Sequence, residues 1–86
     1  MKRWTPWARY KGTKTNEAFE AWSSFAEACA FSEKLMNNPK YQCFDHWGID
    51  VFDSKKDEYA RHWWEFVNGQ WEWMHQGQGI EAGVKS

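Results

Sequence analysis

Between Tyr59 and His75 two aromatic runs flank Asn68-Gly69, the pair most favoured at the centre of a two-residue β-hairpin turn. Centring the turn there makes Val67 face Gln70, Phe66 face Trp71, Glu65 face Glu72, Trp64 face Trp73 and His62 face His75. Side chains alternate along a strand. His62, Trp64, Phe66, Trp71, Trp73 and His75 therefore share one face of the hairpin, and Trp63, Glu65, Val67, Gln70, Glu72 and Met74 share the other.

Upstream, Tyr41 to Phe52 alternates in the same way, with Trp47, Ile49 and Val51 on one side. A four-residue loop over Ser54 to Asp57 pairs Phe52 with Tyr59, Asp50 with Arg61, Ile49 with His62 and Gly48 with Trp63. Both turns then place Trp47, Ile49 and Val51 with Trp64, Phe66, Trp71 and Trp73, an agreement that a one-residue slip would destroy. Ala18, Phe19, Trp22, Phe25, Ala26 and Cys29 recur at three- and four-residue spacing. They predict a helix from about Asn16 to Met36. Glu17, Glu20, Ser24, Glu27 and Lys34 lie on the other side, and Phe31 falls nearly opposite the stripe centre, either facing solvent or covered by another element. Asn37-Asn38-Pro39 ends the helix, since the residue before proline avoids helical geometry.

Trp4 to Tyr10 is a short β-prone strand. Pro6 has no amide to donate, which places this strand at a sheet edge or restricts it to pairing on one side beyond Pro6. The expected fold is α+β in the order β-α-β-β-β, with one helix packed on one face of a mostly antiparallel four-stranded sheet. Its core comprises Trp22, Phe25, Cys29, Trp47, Ile49, Val51, Trp64, Phe66, Trp71 and Trp73. Residues 1–75 form one domain, and the glycine-rich stretch 76–86 reads as a flexible tail.

Composition supports a core without staples. The 86 residues include 8 Trp, 6 Phe and 3 Tyr, and a buried aromatic removes roughly 150–250 Å² from water. The net charge of −1 argues against a general polyanion binder. Charge is nevertheless uneven: Lys2, Arg3, Arg9, Lys11 and Lys14 precede Glu17, Glu20, Glu27 and Glu33. That polarity either pairs a basic strand with an acidic helix or steers a partner. With two cysteines, Cys29 and Cys43, and no apolar leader or span, the expected setting is the cytoplasm with reduced thiols. A Cys29–Cys43 bridge stays open.

Candidate chemistry narrows to surfaces. Phe52, Tyr59, Arg61, Trp63, Glu65, Glu72 and Met74 share the face opposite the helix, with Trp63 expected over Gly48. Aromatics, methionine and arginine are the residue types enriched at interface centres, so this set is the predicted partner-binding site. The same face could instead be covered by Trp4 and Trp7, join a homodimer, or stack single-stranded nucleic acid on Trp63 and Tyr59 with Arg61 and the basic segment on phosphates. Glu65 and Glu72 oppose the last reading. His46, His62 and His75 with Cys29, Cys43 and Asp45 lack the spacing of a closed metal site, so no metal or cofactor is expected. No catalytic motif is present, although a dyad of Cys43 with His46 or His62 stays open. The resulting expectation is a small non-enzymatic protein that occupies a protein partner through its aromatic sheet face or its acidic helix surface. By size and composition alone, this suggests an accessory or inhibitor protein of the kind carried by viruses of bacteria.

Overall fold

The computed structural model describes residues 2–53 and 62–75. The expected turn at Ser54 to Asp57, the site residues Tyr59 and Arg61, and the expected tail lie outside them. In chain order the elements are strand β1 (Lys2–Tyr10), strand β2 (Asn16–Ala18), helix α1 (Phe25–Met36), a 3₁₀ turn (Pro39–Tyr41), and strands β3 (Phe44–Asp53), β4 (His62–Val67) and β5 (Gln70–His75). The strands form one sheet in the order β2-β1-β3-β4-β5 with every neighbouring pair antiparallel. The α+β class holds. The sheet has five strands rather than four, because the first half of the expected helix is extended.

Two local features explain that correction. Ser24 is the helix N-cap, with extended dihedrals; its hydroxyl accepts from the Glu27 amide at 3.1 Å and donates to Glu27 Oε1 at 3.2 Å. The cap satisfies the Glu27 amide in the first helical turn. Residues ahead of it run along the outer side of β1, whose backbone groups would otherwise lack partners. Asn16, Glu17 and Ala18 pair with Arg9, Ala8 and Trp7, and Trp4 exchanges bonds of 2.9 and 2.8 Å with Trp22. Between these stretches stands Pro6, whose carbonyl still accepts from the Phe19 amide at 2.9 Å. β1 is thus an internal strand, not an edge: the missing proline donor falls where pairing with the outer segment is interrupted.

The later start recentres the helix. Ala28 and Ser32 are its buried residues, while Ala26, expected in the apolar stripe, is exposed. Phe31 is half-buried against Phe19 and Trp22, at ring separations of 5.8 and 5.5 Å.

The terminal hairpin has the expected register throughout, from Val67 opposite Gln70 to His62 opposite His75. Asn68 (φ 51°) and Gly69 (φ 86°) both occupy the left-handed region that a type I′ turn demands. Between β3 and β4 the register differs from expectation by two residues. Ile49 faces Trp64, Gly48 faces Glu65 and Asp50 faces Trp63. An even shift leaves every side chain on its expected face. α1 covers the face of Ile49 and Trp64, with Phe25 4.4 Å from Trp64, and Phe19, ahead of the helix, stacks on Trp47 at 5.9 Å.

The centre of the core is Ala8, Phe44, Trp47 and Ile49. Of the expected core, Trp47 and Ile49 are buried; Trp22, Phe25, Cys29, Val51, Trp64, Phe66 and Trp71 are half-buried. Trp73 is 47% exposed. Its exposure follows from dimensions. A helix about 10 Å across covers roughly two strands spaced about 4.8 Å apart, and α1 packs chiefly on β1 and β3.

Candidate interaction surface

On the face away from α1, Trp7 pairs with Gly48 across β1 and β3. A Cβ at Gly48 would fall inside the Trp7 indole ring, so only glycine lets the ring lie flat on the strand. The ring stacks beside His46 at 6.2 Å, and its N–H donates to Asp50 Oδ1 at 3.0 Å. Next to it, the Trp63 N–H donates to Glu65 Oε2 at 2.7 Å, and Glu65 Oε1 meets His46 Nε2 at 2.9 Å.

These contacts change the predicted site. Trp63 is 5% exposed and Glu65 1% exposed, so neither presents the surface expected of it. A tryptophan on a sheet face becomes interior when its ring lies along the sheet and its N–H finds an acceptor there. Trp7, not Trp63, occupies the space over Gly48. Although Glu65 faces Glu72 across the hairpin, it turns its carboxyl group toward His46 and Trp63, while Glu72 stays exposed. Of the remaining predicted residues, Phe52 and Met74 are half-buried, Met74 opposite Trp63 and Phe52 opposite Arg3. Of the five described members, Glu72 alone is exposed; Tyr59 and Arg61 lie outside the described residues.

The acidic residues near the helix are also engaged. Glu27 serves the cap. Glu33 Oε2 accepts from the Trp71 N–H at 2.8 Å. Glu17 Oε1 accepts from the Tyr10 hydroxyl at 3.0 Å, a bond that pushes the Tyr10 pKa above its ordinary value.

The helix side of the β4–β5 hairpin is the surface that sequence reasoning missed, because it was assigned wholly to the core. Trp73 stands at its edge, 4.9 Å from Trp64 and tilted 62° to it; Phe66 and Trp71 repeat the same geometry one step along. Trp64, Phe66, Trp71 and Trp73 bring no charge to this strip. The signal available beforehand was arithmetic: one helix cannot shield a whole sheet.

Cys29 and Cys43 are free thiols, Cys29 half-buried and Cys43 exposed. Burial, with Glu33 one turn away, pushes the Cys29 thiol up to about 11. Among the described residues no three His, Cys, Asp or Glu side chains converge as metal ligands, and no helix is long and apolar enough to cross a membrane. In comparisons with known proteins, no family model, no curated protein and no solved structure matches the chain.

Proposed function

We propose that this is a non-enzymatic binding protein that occupies a protein partner through the helix side of its β4–β5 hairpin. The observation that carries this reading is the 47% exposure of Trp73 beside Trp64. A large aromatic held in place by a second ring contributes contact area with little loss of rotamer freedom on binding. Tryptophan is accordingly enriched among the residues that dominate interface energetics. The engagement of Glu27 and Glu33 in local hydrogen bonds makes the acidic helix surface the weaker choice. The burial of Trp63 removes it as a platform for nucleobases.

The test compares two surface variants as bait in lysate from cells in which the protein acts. Trp73→Ser abolishes capture of the partner, and Glu72→Gln, exposed on the opposite face, leaves it intact. Capture that survives Trp73→Ser overturns the assignment. A second reading, self-association, is favoured by the exposed Trp73 ring, which one copy can bury against the same aromatic strip of another. It predicts a mass that rises with concentration by light scattering and returns to monomer in Trp73→Ser.

A further inference from the structure

The β4–β5 hairpin is joined to the rest of the molecule unevenly. β4 and β5 pair along their whole length, from His62 opposite His75 to Val67 opposite Gln70. Among the described residues the ladder between β3 and β4 covers Gly48–Asp50 against Trp63–Glu65, although β3 itself starts at Phe44. From Phe66 to Trp71 the hairpin continues past that ladder, so side chains rather than backbone pairing hold its tip. Phe66 packs against the core, and Trp71 reaches α1.

Phe25, Cys29 and Glu33 are spaced four apart and form one stripe of α1. The outer two members grip the tip. Phe25 meets Trp64 at 4.4 Å and Trp71 edge-on at 6.5 Å, and Glu33 accepts the Trp71 N–H in an exposed bond of 2.8 Å. Cys29 lies between them and is half-buried.

We propose that the Trp71–Glu33 hydrogen bond is a latch, and that its release swings the hairpin tip away from α1 as a unit while the rest of the sheet stays folded. Segments held by few contacts open at lower free energy than the core they adjoin. When the tip swings out, Trp71, Phe66 and Phe25 join Trp73 on the accessible aromatic surface. The latch thereby sets how much of that surface is on offer. It stands independently of the partner assignment, since its test involves no partner.

Cys29 reports the motion. In a Cys43→Ser background it is the sole thiol, and its alkylation by iodoacetamide is followed against urea at one mildly alkaline pH. A latched tip predicts a slow reaction in the parent, with a shallower urea dependence than global unfolding shows. Trp71→Phe keeps a ring but removes the donor. It raises the alkylation rate about three- to tenfold, the effect expected from one exposed hydrogen bond. Glu33→Ala removes the acceptor instead and raises the rate in the same direction. An unchanged rate in Trp71→Phe, or a Cys29 reaction with the full urea dependence of global unfolding, overturns the proposal.

Discussion

Trp63 and Trp73 stand on adjacent strands of one hairpin and on opposite faces of the sheet, and their burial is the reverse of what the position of the helix implies. Trp63 lies on the face that α1 does not cover and is 5% exposed; Trp73 lies on the covered face and is 47% exposed. On the first face, indoles lie along the sheet with their N–H groups on Asp50 and Glu65, and Gly48 leaves room for Trp7. On the second, burial depends on a helix narrower than the sheet beneath it. The face of a residue and the depth of a residue are separate properties. Alternation determines only the first.

The sharpest way to break this comparison is to truncate both rings. Trp63→Ala is expected to cost about 3–5 kcal/mol in urea unfolding, in the range for removing a buried tryptophan. Trp73→Ala is expected to cost about 1 kcal/mol, because much of its ring is already in water. Equal losses would show that the two faces are stabilised alike.

Next in size is Glu65→Leu. It leaves the Trp63 N–H and the His46 ring without their carboxylate in a buried setting. The expected loss is about 2–4 kcal/mol by the same measurement, most of it from the orphaned Trp63 donor. Glu65→Gln, which retains one acceptor oxygen, recovers part of that loss. If Leu and Gln prove equally costly, packing rather than hydrogen bonding holds the open face.

Gly48→Ala follows, at about 2 kcal/mol, because a methyl group must displace the Trp7 ring. The double-mutant cycle is the informative measurement. In a Trp7→Leu background Gly48→Ala should become nearly neutral. A cost that persists there would place the constraint in the backbone instead of in the indole.

How much of this was legible beforehand depends on the range of each signal. Asn68-Gly69 is a local signal with a steric cause, and it gave the full register of the hairpin. The facing of Ile49 and Trp47 also came through, since a two-residue shift between β3 and β4 cannot change parity. The helix start did not. Ala18, Phe19 and Trp22 continue the helical spacing by coincidence through an extended segment, while the better signal, Ser24 followed three residues later by Glu27, went unused. Nothing local announced that β1 would need a second partner along Trp4 to Arg9. For the candidate site, the burial of Trp63 and Glu65 depends on His46, which is 19 residues away from Glu65 in the chain. That is a pairing of side chains across strands, beyond the reach of periodicity.

The smallest expected effect gives the finest comparison, because one substitution can be read in two environments. The Trp22 N–H is shut off from solvent with no hydrogen-bond partner among the described residues, whereas the Trp63 N–H is bonded to Glu65. Trp22→Phe gives up some ring area but removes a donor that was desolvated without compensation, a penalty of about 1–3 kcal/mol. The two terms nearly cancel, so the urea midpoint should move little and can rise. Trp63→Phe gives up ring area at a more deeply buried site and also takes a donor away from buried Glu65, so both terms act in one direction and the midpoint should fall. A phenylalanine scan of these two positions thus isolates the hydrogen bond from the ring. If Trp22→Phe proves as costly as Trp63→Phe, the carboxylate contacts contribute nothing beyond packing, and the distinction between the two faces reduces to shape.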